Sequence, residues 1–283
     1  MNTSFRKAVL LPAAVLLLGG CDARLTVDLN TNPPADPAIT RVDASLRGLD
    51  FRKADGSSDT LEFRAGELVD LLDLQDAGTF RLFTDETLPA GRYTGVRLLF
   101  DEAEDDNVVA RGVVESPLLL QEGAYAAVDF QVEDDESSDE SISLVLDLRQ
   151  SLSYEDAADE YTLTPALRAV PTGAAARIEG TVAAACPTGT SLADGGAVYL
   201  YAGNGVTPDD VDGAEAEPYA TTRVRVDGAA PSYALGLLQA GRYTLALTCR
   251  GNEDERGASD DLGFCSVVDV EVGEREVLRR DLN

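Results

Sequence analysis

Apolar side chains in this chain recur at every second position, and no long stretch repeats with a helical period. In 142–149, Ile142, Leu144, Leu146 and Leu148 alternate with Ser143, Val145, Asp147 and Arg149. In 128–133, Val128, Phe130 and Val132 alternate with Asp129, Gln131 and Glu133. The segment 92–100 sets Val96, Leu98 and Phe100 on one face. Neighbouring side chains of a strand point to opposite faces, so this pattern builds half-buried strands. Further strands are expected near 24–29, 39–51, 79–83, 108–114 and 161–170. Residues 67–74 read either as a helical turn or as an irregular strand. Many short strands divided by turn signals make a β-sandwich the expected architecture.

The pattern breaks once. Residues 171–176, Pro-Thr-Gly-Ala-Ala-Ala, form a stretch of small residues that reads as a linker. Strands are then expected at 177–186, 197–202, 221–227, 232–237, 242–249, 265–272 and 275–282. Seven strands in about 110 residues suit one sandwich. The two parts share a local repeat, Leu88-Pro-Ala-Gly-Arg-Tyr-Thr94 and Leu238-Gln-Ala-Gly-Arg-Tyr-Thr244. In each, a Gly turn leads into a strand whose Tyr covers the end of the core while its hydroxyl reaches loop backbone, like a tyrosine corner. The alternative is a ligand-binding Tyr.

The N-terminus carries a different kind of signal. Arg6 and Lys7 precede an apolar run from Ala8 to Leu18, too short to span a bilayer but suited to a signal-peptide core. The run ends Leu18-Gly19-Gly20-Cys21, which resembles a bacterial lipobox: an apolar residue, two small ones, then the Cys that accepts the lipid. Residues 1–20 are therefore expected to be a lipoprotein signal peptide, with Cys21 as the lipidated N-terminus and the membrane as a partner. Asp22 resembles an enterobacterial signal for inner-membrane retention, a rule that varies among bacteria, so inner and outer membrane both stay open. The expected organisation is all-β: leader 1–20, a sandwich over 21–171 and a second over 172–283.

Composition removes several functions. The chain has no His and no Trp, which excludes Ser-His-Asp and Cys-His catalysis and His-liganded zinc. Its formal charge is −28, and loss of the leader's two positive charges takes it to −30. A nucleic-acid partner needs a basic footprint and is not expected. With Cys21 acylated, Cys186, Cys249 and Cys265 remain, in an oxidising envelope that permits disulfides. Strand parity sets Cys186 with Ile178, Val182 and Ala184, and Cys249 with Tyr243, Leu245 and Leu247, both facing a core. Cys265 has the opposite parity to Phe264, Val268, Val270 and Val272 and looks outward. This favours Cys186–Cys249; a rival Cys249–Cys265 pair would clamp the acidic loop 250–264.

Acids crowd into 101–106, 133–140, 209–213 and 253–261. The first reading is a solvated surface that keeps an exported protein soluble. The second is weak Ca²⁺ binding, with Asp209, Asp210 and Asp212 as candidate ligands, since hard oxygen donors on flexible loops suit that ion. No other cofactor is expected. Paired carboxylates also run glycoside hydrolysis, but sugar clefts lean on aromatic platforms, and only 6% of residues are aromatic.

Residues 24–170 resemble the bacterial lipoprotein family called domain of unknown function 4382. The resemblance rests on Leu25-Thr-Val-Asp-Leu29, Asn32-Pro-Pro-Ala-Asp36, Ile39-Thr-Arg-Val-Asp43, the first AGRYT turn and Tyr161-Thr-Leu-Thr-Pro165. It brings no established activity. Residues 177–283 resemble the carboxypeptidase-regulatory, or prealbumin-like, β-sandwich through Ile178-Glu-Gly-Thr-Val182, Ala197-Val-Tyr-Leu-Tyr201 and the second AGRYT turn. Such modules accompany envelope proteins and are usually not catalytic. The expectation is a non-enzymatic, lipid-anchored scaffold or binding module of the envelope, facing periplasm or exterior, with a protein or polysaccharide ligand. The alternatives are a Ca²⁺- or polymer-binding surface adhesin and, more remotely, a carboxylate-based hydrolase.

Overall fold

A computed structural model describes residues 24–75, 78–101, 106–133, 139–183, 185–214, 216–227 and 230–283. The leader, Cys21, Ala184 and most of the acidic runs 101–106 and 133–140 lie outside the described residues.

The fold is all-β. Up to residue 171 the strands are β1 (Arg24–Asn32), β2 (Ile39–Lys53), β3 (Ser58–Asp70), β4 (Phe80–Thr87), β5 (Gly91–Phe100), β6 (Val108–Arg111), β7 (Val114–Leu120), β8 (Ala126–Val132), β9 (Asp139–Asp147), β10 (Leu152–Glu155), β11 (Glu160–Leu163) and β12 (Leu167–Pro171). One sheet has the order β12-β9-β1-β4; the other runs β10-β11-β7-β6-β2-β5-β8, with β3 added to β2. β1 lies parallel to β9 and antiparallel to β4. Alternation along β1 sends Leu25, Val27 and Leu29 inward, where they share one core with Leu144 and Leu146 and with Leu46, Leu49, Phe51, Val96 and Leu98 of the facing sheet. Each such side chain contributes about 1.5–3 kcal/mol when fully buried.

Beyond the linker come β13 (Ala176–Thr181), β14 (Ala197–Ala202), β15 (Ala220–Arg223), β16 (Ser232–Leu238), β17 (Gly241–Thr248), β18 (Ser266–Val272) and β19 (Val277–Arg279). They form a three-stranded sheet, β16-β13-β19, and a four-stranded one, β15-β14-β17-β18. Ile178 and Leu235 of the first meet Val198, Leu200, Leu245 and Leu247 of the second in a separate core.

Several boundaries differ from the sequence expectation for physical reasons. β9 stops at Asp147 because that side chain caps a short helix, α1 (Leu148–Ser151), accepting hydrogen bonds from the Arg149 and Gln150 amides. The ambiguous 67–74 is both things at once: β3 runs to Asp70, whose carboxylate caps a 3-10 turn over Leu71–Leu74. The 161–170 stretch divides into β11 and β12, in different sheets, at Thr164-Pro-Ala166. β13 ends at Thr181, so Cys186 lies in a loop rather than on a core-facing strand. β3 and most of β7 carry weak alternation and are not apparent in the sequence.

The repeated AGRYT turns take the same form twice. The Tyr243 hydroxyl donates to the carbonyl of Gln239 at 2.7 Å, and the Tyr93 hydroxyl lies 2.7 Å from the carbonyl of Pro89, four residues back in each case. Tyr93 also sits 2.7 Å from the Asp59 carboxylate, which pairs with Lys53 at 2.6 Å. Burial pushes both phenols up in pKa, so each stays a neutral donor. Both are structural tyrosines that close the end of a core. Tyr243→Phe keeps the ring and leaves a carbonyl without its donor, a loss of about 1–3 kcal/mol. Urea unfolding should show the midpoint falling with an unchanged slope.

Candidate functional site

The alternating face of β9 that the sequence assigns to solvent is covered instead. Ser143, Val145, Asp147 and Arg149 are each 3% exposed or less. Ser143 meets Thr172 at 2.9 Å in the turn after β12, and the charged pair at the other end of this face makes the junction. One Asp147 oxygen accepts from the Asn32 amide and the Thr221 backbone N–H, each at 3.1 Å, and the Thr221 hydroxyl reaches the same carboxylate at 3.0 Å. Asp147 thus ends a strand, starts α1 and holds β15 of the other half.

Arg149, on α1, passes into the C-terminal half. Its guanidinium donates to the Tyr199 hydroxyl at 2.9 Å and to the carbonyl of Gly251, and it pairs with Asp254 at 3.4 Å. Both charged side chains are sealed from water, at 1% and 0% exposure. Tyr199 relays between them, because its hydroxyl also donates to Asp254. Its ring lies 5.2 Å from the guanidinium carbon. Gly251 is required by close approach: a Cβ there would lie 2.4 Å from that of Ala197. Three further contacts repeat the theme of an Arg or amide on backbone oxygen. Arg223 donates to Pro34 O at 2.7 Å, Arg168 to Gly236 O at 3.3 Å, and Gln239 to Ala169 O at 3.1 Å.

Asp254 leads to the second part of the site. β14 is buried on both faces: Val198 and Leu200 enter the second core, while Ala197, Tyr199 and Tyr201 enter a smaller one with Val211, Ala246 and Leu262. This third cluster is roofed by two loops, 203–219 and 249–265, which clasp each other. The Val211 N–H donates to Asp254 at 3.0 Å, the Gly257 N–H to Val211 O at 2.8 Å, and the Asp260 N–H to Asp210 Oδ2. Tyr201 bonds through its hydroxyl to the backbone of Asp209.

On this clasp stand Asp209, Asp210 and Asp212, with one carboxylate oxygen of each within 4.8 Å of the others. Asp209 and Asp212 are half-buried, and Asp210 is 1% exposed. Burial pushes the Asp210 carboxyl up in pKa, with Asp212, Asp209 and Asp254 adding to the effect; Glu217 is raised by burial in the same way. Acids expected to decorate a wet surface are therefore partly interior. Asp210 and Asp254 are the corrections, and the reason is that both are pinned by backbone N–H groups across the clasp.

Cys186 and Cys249 are joined in a disulfide, with Cα atoms 5.8 Å apart. It ties the loop after β13 to the buried end of β17. Cys265 is free and half-buried, packed on the second core rather than turned outward, because β18 begins only at Ser266. The structure thus brings together Cys186 with Cys249, and Asp209 with Asp210 and Asp212. It keeps Cys265 out of both. Arg149, Tyr199 and Asp254 are not apparent in the sequence; the adjacent charges Asp147 and Arg149 on one parity of an apolar strand are the one available signal.

The family model described as Domain of unknown function (DUF4382) matches residues 22–165. No curated protein matches. Among solved structures, the chain is similar to the Bacillus anthracis TIE protein, at 10% identity and TM-score 0.22, covering 92% of this chain and 34% of that one. It is similar to a streptococcal ancillary pilin at 12% identity and TM-score 0.18, over 92% and 62% of the two chains. It is also similar to GBS52, the minor pilin of Streptococcus agalactiae, at 12% identity and TM-score 0.20, over 90% and 93%. The chain thus spans about a third and under two thirds of the first two. These low-identity likenesses carry no function across.

Two outcomes follow from the site. Arg149→Met strands Asp254 in the interior and should cost about 3–5 kcal/mol; adding Asp254→Asn should recover much of it, since the pair's removal is far cheaper than its breakage. A double-mutant cycle in urea measures this. Replacing Cys186 and Cys249 by Ser opens a loop of 63 residues and should cost about 2–5 kcal/mol, read as a lower melting temperature that reductant no longer changes.

Proposed function

We propose that this chain, which belongs to the family described as Domain of unknown function (DUF4382), is a lipid-anchored, non-enzymatic module of the bacterial cell envelope that scaffolds or binds through its two β-sandwiches. The observation that carries this reading is the run Leu18-Gly19-Gly20-Cys21, with β1 beginning at Arg24. An acyl chain contributes about 0.8 kcal/mol per buried CH₂, and a single chain anchors only marginally, so the several chains of a mature lipoprotein hold durably. Three residue steps from Cys21 to Arg24 reach at most ~10 Å, so a lipid on Cys21 would hold the first sandwich close to the membrane.

The junction supports binding or scaffolding over catalysis. Its cleft, about 640 Å³, is lined by Asp36, Arg111, Arg149 and Asp254 among others. Four of the charges on its wall are spent on one another, Arg111 pairing with Asp36 at 2.9 Å and Arg149 with Asp254, while Asp156, Glu255 and Arg256 also line it. Arg149, together with Asp147, Arg168, Arg223 and Gln239, joins the two halves, which suits a part that presents a surface near a membrane. Protein or polysaccharide is the ligand class that fits; the acidic balance argues against nucleic acid. The C-terminal half, with three- and four-stranded sheets face to face, is compatible with a carboxypeptidase-regulatory-like sandwich.

The test is fractionation. The wild-type chain should sit with membranes, and Cys21→Ala should move it to the soluble fraction with its melting temperature unchanged. A Cys21→Ala chain that stays on the membrane overturns the anchor.

A further inference from the structure

We propose that Asp209, Asp210 and Asp212 form a Ca²⁺ site on the clasp between the 203–219 and 249–265 loops. The cluster of acids alone would not carry this. The second observation is Asp210 itself. Its Oδ2 accepts from the Asp260 N–H, while its Oδ1 is buried without a hydrogen-bond partner. A buried carboxylate oxygen left unsatisfied is costly. Among the described residues, no Lys or Arg forms an ion pair with Asp209, Asp210 or Asp212. Proton uptake neutralises one carboxyl at a time, whereas a single cation compensates all three carboxylates together.

The dimensions fit calcium. Ca²⁺ takes six to eight oxygens at about 2.3–2.6 Å in flexible geometry, so two of its ligands stand at most ~5 Å apart. The three carboxylate oxygens fall within 4.8 Å of one another. Mg²⁺ demands a tighter octahedron and sheds water reluctantly, and zinc prefers nitrogen and sulfur. Backbone around the cluster is already fixed: Ala214 N–H donates to Asp212 at 2.8 Å and Gly213 N–H to Glu217 at 2.6 Å. Between Asp210 and Asp212 lies Val211, whose N–H holds Asp254. An ion here therefore rigidifies the segment that seats the acid of the buried Arg149 pair. The proposal is independent of the anchor, since the site lies wholly in the C-terminal half.

The experiment uses the full-length chain in detergent, stripped with chelator. With no Trp present, Tyr is the donor for sensitised Tb³⁺ luminescence, and Tyr201 is bonded to the backbone of Asp209. The expected result is one Tb³⁺ per chain, displaced by Ca²⁺ with a Kd on the order of 10⁻⁴–10⁻³ M. Asp210→Asn should weaken binding at least tenfold, while exposed Glu86→Gln leaves it unchanged. In chelator, Asp210→Asn should melt no lower than wild type, which separates lost binding from lost folding; Asp209→Asn, at a half-buried position, repeats the test should Asp210→Asn misfold. No sensitised emission, emission and displacement unaltered in Asp210→Asn or Asp209→Asn, or displacement by Mg²⁺ as good as by Ca²⁺ each overturns the proposal.

Discussion

The relation between the two halves of this protein depends on one buried charge. Arg149 leaves the N-terminal sandwich on a single turn of helix and ends among groups of the C-terminal one. A guanidinium cannot shed its proton, so once removed from water it must find both a counter-charge and acceptors. Asp254, Tyr199 and the Gly251 carbonyl all meet its Nη1, and they come from β14 and from the loop that follows β17. Without those partners, the face that β9 begins would end in a buried, uncompensated charge on α1. With them, the same face becomes a docking surface.

Asp147 shows how tightly local and long-range structure are joined here. A single carboxylate stops β9, caps α1 and accepts from Thr221 across the junction. The cap aims the helix, the helix aims Arg149, and the bond to β15 sets the distance at which Arg149 meets Asp254. Arg168, Arg223 and Gln239 add contacts to backbone oxygens, which fix orientation without requiring further buried acids. The Cys186–Cys249 bridge works from the other side: it anchors the chain just before the 250–262 segment that carries Gly251 and Asp254. Disulfide, clasp and ion pair therefore act on one region of the C-terminal half.

Much of the fold is legible in the sequence. β1, β2, β5, β9 and β17 alternate because one face meets a core, β14 is a continuous apolar run because both its faces do, and the AGRYT turns mark the same corner twice. β3 is hard to read, because its inward residues Leu61 and Phe63 are only half-buried and 64–68 is exposed throughout. The acidic loops are half legible. That Asp209, Asp210 and Asp212 stand together follows from their spacing. That Asp210 lies buried follows only from the second loop, about fifty residues away in sequence, folding over it.

Taken by itself, the sequence determined which residues alternate, where the chain breaks near 171–176, which Tyr closes each core, and which Cys ends the run Leu18-Gly19-Gly20-Cys21. These are local properties, written in periods of two and in motifs of a few residues. The tertiary structure alone decided that the polar face of β9 is an interface, that β14 is covered on both sides, and that Arg149 and Asp254 meet across more than a hundred residues. A polar residue at an outward strand position reads the same whether water or another sheet lies beyond it. Only when both partners of a buried charge are in place does the difference appear.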